Sequence, residues 1–378
     1  MKVHFLSISL FSSIPSLRFI VDSFLDKNFR VAITELSIKN SNNYFVNKNI
    51  EHNLIAEFDN FDRLKVGLKK IAFKKYLTIC KILLSKKDDL IYTNDFQVVF
   101  LKLLLNKKSK LIYHQFELIE PTFLGKIGNF VFKYVLKNAN KIDLCIFPEQ
   151  NRADYFINIS KALKDKVMIF PNTCKLVTSN LVDEKSCIDF IPDSQFIVLH
   201  TGVLGVAEHY YDTFLRATQL FKKEDNVAFV FIGRKTTEID RFIEENKITN
   251  IYFIANIPHQ ELLKVYKKAN LGLILYKGVN LNIEYCAPNK LYEFWSNGIP
   301  VLAHTLQGLQ PLFNNKVLGL LTDFSKEEIV YSTILNLKNS TDHLKEEVKK
   351  YFKENFEINI YQNELNNKIA ALFTFNKN

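Results

Sequence analysis

The stretch that decides the fold is Asn282-Ile-Glu-Tyr-Cys-Ala-Pro-Asn-Lys-Leu-Tyr-Glu-Phe-Trp-Ser-Asn-Gly-Ile-Pro-Val-Leu-Ala-His304. An apolar strand over Leu271–Tyr276 runs into the polar loop ahead of it, and Pro288 suits the first position of a helix. Asn297-Gly298 is a common helix stop, and Pro300–Ala303 reads as the next strand. The first amides of that helix, near Asn289 and Lys290, lack partners within the helix and favour an anion. Glu293 follows Lys290 by three residues and Asn289 by four, so all three share one helix face. Amides with a lysine suit a diphosphate, and a carboxylate one turn on suits the paired hydroxyls of a ribose. The same spacing also describes a surface Lys290–Glu293 pair on an ordinary helix, and spacing alone leaves both readings open.

The segments before this block repeat one grammar. Phe196–His200 is a strand ending in Thr201-Gly-Val-Leu-Gly205, with a helix from about Tyr211. The strand Val227–Ile232 leads to Gly233-Arg234, followed by the helix Glu238–Asn246, the strand Ile251–Ile254 and the helix Pro258–Lys268. Gly202 and Gly205 at a strand–helix junction let backbone approach a phosphate, although any tight turn would use them. Five strands alternating with helices predict a doubly wound domain over 193–344, and Lys345–Phe373 predicts a closing helical region within 345–378.

The first half follows the same pattern. Val3–Leu10 and Val31–Thr34 read as strands flanking the helix Leu17–Phe24, and Asn40–Asn53 reads as loop. The loop Phe11–Ser16 has no glycine, so a dinucleotide fingerprint is absent. Strands at Asp89–Asn94, Lys110–Leu118, Leu144–Pro148 and Lys166–Pro171 alternate with helices at Phe96–Leu105, Phe130–Ala139 and Arg152–Leu163. His114, Glu117 and Glu120 fall at the C-terminal end of one strand, where open α/β sheets bind ligands, although a lone histidine there also fits a core. This predicts a first domain over 1–178, with the linker in Asn172–Pro192.

Length and composition agree with two globular domains: 378 residues, 47% hydrophobic and 24% charged. Lys2–Leu10 has the charge and apolar character of a signal peptide, but no small-residue cleavage site follows, and it reads as a buried strand. No apolar run is long enough to cross a bilayer. The five cysteines, Cys80, Cys145, Cys174, Cys187 and Cys286, are scattered, which fits a reducing, cytoplasmic setting and argues against zinc or a disulfide frame.

Net charge is +10 and unevenly placed. Residues 1–178 hold 28 basic against 16 acidic residues, and the remainder 22 against 24. A basic first half attracts nucleic acid or an anionic membrane surface. Asp62–Lys87 is the most basic stretch, with Arg63, Lys69, Lys70, Lys74 and Lys75 interleaved with apolar residues. An amphipathic helix with a cationic face suits a membrane interface, and equally a surface helix with its apolar side in a core. The two are compatible. Nucleic acid is the weakest partner, because the lysines lie in no recognisable recognition module.

Ala287-Pro-Asn-Lys-Leu-Tyr-Glu293, followed by Gly298-Ile-Pro-Val, resembles the nucleotide-sugar signature of the family 4 (group 1) retaining glycosyltransferases with the GT-B fold. The resemblance extends to Ser16-Leu-Arg18 with Phe24–Val31, to Tyr113–Leu118, to Val167–Asn172 and to Gly202–Gly205. It implies two doubly wound Rossmann-like α/β domains facing across a cleft, with a C-terminal helix packing back on the N-terminal domain. It also implies a hexosyltransferase that moves a sugar from a nucleotide-sugar to a glycan or lipid-linked acceptor in surface polysaccharide synthesis. Neither a cofactor nor an obligatory metal is expected, and the chain has no Asp-x-Asp. By the resemblance Glu293 binds ribose, and Lys290, the amides near Asn289, the Gly202–Gly205 loop and Arg234 hold the diphosphate. His114 or Glu117 would face the donor sugar and the acceptor hydroxyl.

The chain departs from the family pattern in four places, one of them Phe116, which stands where a histidine is expected just before Glu117, with His114 two residues earlier. Tyr285, next to Glu284, stands where a second glutamate is usual. Ala207, Glu208 and His209 occupy the region of a usual Arg/Lys pair, and Ser12-Ser-Ile-Pro replaces an N-terminal glycine loop. Two alternatives follow: a sugar-nucleotide 2-epimerase of the same architecture, and a non-catalytic transferase-like subunit.

Overall fold

A computed structural model describes residues 1–11, 14–38, 44–45, 48–59, 61–85, 87–106, 108–121, 124–176, 186–193, 195–341 and 344–374. It divides into two compact units, Met1–Pro171 with Ile358–Asn378 and Asn172–Glu357. Serines 12 and 13 of the first loop lie outside the described residues.

In unit 1 the chain runs β1 (Lys2–Leu6), α1 (Pro15–Asp26), β2 (Arg30–Ile38), β3 (Ile50–Phe58), α2 (Phe61–Ser85), β4 (Leu90–Thr93) and α3 (Phe96–Leu105). It continues with β5 (Lys110–His114), α4 (Lys126–Lys137), β6 (Leu144–Phe147), α5 (Gln150–Ile159) and β7 (Val167–Ile169). Unit 2 opens with β8 (Phe196–Thr201), α6 (Tyr211–Thr218), β9 (Val227–Ile232), α7 (Thr237–Glu245), β10 (Tyr252–Ile254) and α8 (His259–Lys268). Then come β11 (Leu271–Ile274), α9 (Leu281–Glu284), α10 (Asn289–Ser296), β12 (Val301–His304), β13 (Gly319–Thr322), α11 (Glu327–Thr341) and α12 (Lys345–Asn355). The chain returns to unit 1 as α13 (Ile358–Thr374).

Both sheets are parallel, in the orders β3-β2-β1-β4-β5-β6-β7 and β10-β9-β8-β11-β12-β13. Their central strands are buried throughout, as in β4 and β8, which explains near-continuous apolar runs instead of alternation. Strand order reverses between β1 and β4 in unit 1 and between β8 and β11 in unit 2. Loops diverge at such a point, and ligands of α/β sheets bind at the C-terminal ends beside it.

Aromatic packing fills both cores. Phe5 lies 4.8 Å from Tyr92 and 5.5 Å from Phe24 in unit 1. In unit 2 Trp295 stacks on Phe356 at 5.2 Å and donates its indole N–H to the Leu318 carbonyl at 2.9 Å.

Several expectations need correcting. The loop read over Asn40–Asn53 gives way to β3 at Ile50, an edge strand that opens on the polar residues Glu51, His52 and Asn53 and buries only Ile55. A sixth strand of unit 2, β13, is four residues long and too short to signal itself. The closing helical region breaks at Phe356 and Glu357. Residues 345–357 belong to unit 2, where Val348 and Phe352 are fully buried, and unit 1 takes only α13. That helix packs on α1, with Gln362 Nε2 donating to the Phe19 carbonyl at 2.7 Å and Asn366 Nδ2 to Ser23 Oγ at 3.0 Å. Unit 1 ends its first pass at Pro171, short of 178.

Candidate functional site

The switch point of unit 2 brings together the loop after β8 and the elements after β11. Gly202 has φ +100°, and its N–H donates to the Ile232 carbonyl at 2.8 Å. Leu204 N–H donates to the Arg234 carbonyl at 3.0 Å, so the loops after β8 and β9 are laced together. Gly233 makes this possible. A Cβ there would lie 1.9 Å from the Gly202 carbonyl oxygen.

Beyond β11 the chain makes the short helix α9, capped by Asn280, whose Oδ1 accepts from Ile283 N–H at 2.9 Å. Asn172 Nδ2 then holds the Ala287 carbonyl at 2.8 Å. Pro288, expected as the first helical residue of α10, is instead its N-cap, because its ψ of 130° is extended. Asn289 is therefore the first helical residue. No side chain caps the helix, which leaves its opening amides to an outside acceptor. The helix stops where the sequence indicated, with Asn297 after Ser296 and Gly298 at φ +78°.

Lys290 reaches from α10 to the glycine turn: a Cβ on Gly202 would sit 3.6 Å from its Nζ. The ammonium also lies 5.4 Å from the centroid of the Tyr276 ring. Burial pulls the lysine's pKa down to about 8, against the opposing pull of Glu293 and Cys286. Glu293, one turn along, is partly buried, and its Oε2 accepts from the Tyr266 hydroxyl at 2.9 Å. Burial and that carboxylate raise the Tyr266 phenol well above its ordinary value.

His209 completes the group. Its ring packs 4.9 Å from Tyr276, and its Nδ1 lies 3.2 Å from both the N–H and the carbonyl oxygen of Gly205. Its Nε2 is buried without a hydrogen-bond partner. Burial, then the Lys290 charge, lowers its pKa to about 4, so the imidazole is neutral. Gly202, Gly205, Lys290 and Glu293 thus belong to one neighbourhood, joined through Tyr276 and Tyr266. Asn289 is half-buried at the start of the same helix, and the Arg234 side chain is exposed.

Glu284 has a different task. Its Oε1 accepts from Gln307 N–H at 3.0 Å and its carbonyl from Gly308 N–H at 2.9 Å, which ties α9 to the segment after β12.

In unit 1, His114 ends β5 fully buried. Its Nδ1 shares a 2.6 Å hydrogen bond with the Tyr92 hydroxyl, its ring stacks on Phe116 at 4.0 Å, and Nε2 has no partner. Burial lowers its pKa to about 3, so it is a neutral group suited to hydrogen bonding and a weak base. Glu117 is exposed in the following loop, and Glu120 is partly buried. At the β1–β4 switch point Asp95 accepts from Ser7 Oγ and from Ile8 N–H, each at 2.7 Å. Nothing in the sequence singled out Asp95, Tyr266 or Tyr276, because single polar residues at strand or helix ends leave no periodic signal. His209 was visible only as an unusual residue.

Among the described residues no three His, Cys, Asp or Glu side chains gather into a metal-holding group.

Residues 195–339 match the family model described as Glycosyl transferases group 1. No curated protein sequence matches the chain. Solved structures are similar across both units. HepE (Alr3699) from Anabaena, in complex with UDP and glucose, has a TM-score of 0.72 at 16% identity over 98% of this chain and 100% of that one. A glycosyltransferase from Rickettsia africae has a TM-score of 0.74 at 16% identity over 99% of each chain. WaaG, a glycosyltransferase involved in lipopolysaccharide biosynthesis, has a TM-score of 0.68 at 12% identity over 96% of this chain and 98% of that one. Similarity at these identities establishes the fold. The chain has the two Rossmann-like domains and C-terminal helices of the GT-B proteins, and its second unit is the part that resembles the group 1 glycosyl transferase model.

Proposed function

We propose that the protein is a nucleotide-sugar-dependent hexosyltransferase that acts with retention on a glycan or lipid-linked acceptor in surface polysaccharide synthesis. The observation that carries this reading is the approach of Lys290 to the Gly202 turn beside the uncapped start of α10, with Glu293 one turn away. In this reading the lysine and the amides near Asn289 hold the diphosphate against the Gly202–Gly205 loop, and Glu293 takes the ribose hydroxyls through Oε1. Positive charge and aligned amides stabilise the nucleoside diphosphate as it leaves, the largest contribution such a site can make. His114 and Glu117 are assigned to the sugar and acceptor side. The UDP and UDP-glucose held by the Anabaena protein favour uridine as the base. No cofactor or metal enters the scheme.

A thermal-shift series with UDP, GDP, ADP and CMP compounds tests the donor site, with the melting temperature rising for one base. Lys290→Ala and Glu293→Ala should abolish both the shift and sugar transfer while the protein stays folded. Full activity in both variants would sink the reading. Turnover of the sugar nucleotide without any acceptor would replace it with an epimerase.

With a lipid-linked acceptor the enzyme would work at the inner face of the cell membrane. Lys74 and Lys75 of α2 belong to the described side chains, whereas those of Arg63, Lys69 and Lys70 lie outside them. Among the described residues no helix is long and apolar enough to cross a membrane, so the association proposed is peripheral.

A further inference from the structure

One side of unit 1 exposes large apolar side chains that no core uses. On α2 Phe73 is 79% exposed, with Leu77 and Leu84 following at positions four and eleven residues on. Such spacing keeps the three on one helix side. On α4 Ile127 is 81% and Phe130 65% exposed. Between them α3 packs against both helices and exposes Leu104, and its Phe100 lies 6.5 Å from the Phe130 ring. Isolated exposed apolar residues are ordinary, but two phenylalanines and an isoleucine this bare on the two helices flanking α3 are not.

The charges around them have one sign. Lys74 and Lys81 of α2 and Lys126, Lys133 and Lys137 of α4 are exposed. The three helices contain a single acidic residue, Asp62. On α4 the lysines recur at seven and eleven residues from Lys126, on the same side as Ile127 and Phe130. A soluble protein partner would have to be both acidic and apolar over this area. An anionic bilayer offers both properties at once: headgroup charge for the lysines and an acyl boundary for the rings beside them.

We infer that the face formed by α2, α3 and α4 is the membrane-docking surface, with Ile127 and Phe130 of α4 and Phe73 of α2 entering the lipid interface. This rests on the membrane part of the proposed function and extends it. Lys74 and Lys81 of α2 form one flank of the contact, and α4, unremarkable in sequence, supplies an inserting edge. Anionic phospholipid is the binding chemistry, and the contact requires no sugar nucleotide.

Cosedimentation of the full chain with vesicles of phosphatidylcholine, with and without phosphatidylglycerol, tests it. Wild type should bind the anionic vesicles, less so at high salt, and bind phosphatidylcholine alone far more weakly. Ile127→Glu with Phe130→Glu should lower binding by about tenfold or more, as should Lys126→Glu with Lys133→Glu. Neither pair should change the melting temperature, since all four residues are exposed. If wild type binds and both pairs bind equally well, the face is wrong and the membrane reading survives. If wild type binds no anionic vesicle, both fall. A dimer in light scattering that the same substitutions dissociate, without vesicle binding, would assign the face to a second copy instead.

Discussion

Tyr266 donates its hydroxyl to Oε2 of Glu293 at 2.9 Å, so this carboxylate is already fixed by a buried tyrosine from α8. One oxygen is engaged and the side chain is held in one orientation. Tyr266→Phe should leave the chain folded and weaken nucleoside diphosphate binding about threefold to tenfold, the net worth of one ordinary hydrogen bond. Titration calorimetry with UDP reads the change. Unaltered affinity would show that Glu293 needs no such support.

The position of Lys290 predicts a pH dependence. Its free-protein pKa is about 8, and a bound diphosphate favours the charged form and raises that value. Affinity is therefore complete below pH 8 and falls as the pH climbs from there towards the bound-state pKa. The fall approaches about tenfold per pH unit within that window. Binding of UDP measured from neutral to alkaline pH checks the sign, and Lys290→Met should bind more weakly with no such slope.

The two glycines of the laced loops should differ in their tolerance. Gly233→Ala drives a Cβ into the Gly202 carbonyl, whereas Gly202→Ala meets only the flexible end of Lys290. Both positions have positive φ, which costs about 1–2 kcal/mol for a non-glycine residue. The clash adds about 1–3 kcal/mol at Gly233 alone. Thermal denaturation should show the greater loss for Gly233→Ala, and an equal loss would remove the argument for close backbone packing.

His114 and Tyr92 form a buried pair whose halves depend on each other. His114→Phe leaves the tyrosine hydroxyl without a partner in the core and should cost about 1–3 kcal/mol. Tyr92→Phe added to it should recover part of that loss, and a double-mutant cycle measures the coupling. Transfer assays on the same variants separate a part in the reaction from a part in packing.

Legibility followed the physics of each segment. The buried parallel strands announced themselves because burial on both faces demands apolar runs, as in Phe196–Thr201 and Leu144–Phe147. The edge strand Ile50–Phe58 did not, since four of its nine residues are polar and only Ile55 is buried, so exposure relaxes the pattern. Lys290 and Glu293 were readable because helical spacing puts them on one face. His209 and Tyr276 join them only through pairing of the loop after β8 with the end of β11, a bridge between residues far apart in the chain. Glu284 stood beside an expected carboxylate position, and only its bond to Gln307 reveals its structural use.

The return of α13 to unit 1 has a consequence for how the protein is made. Ile358, Leu365 and Ile369 are fully or almost fully buried in a core whose other members lie between Val3 and Phe170. Domains usually fold as they leave the ribosome, the first one first. Here the first domain waits for a helix translated after the whole of the second. Unit 2 can close its core beforehand, so the growing chain would hold a finished second domain and an unfinished first one.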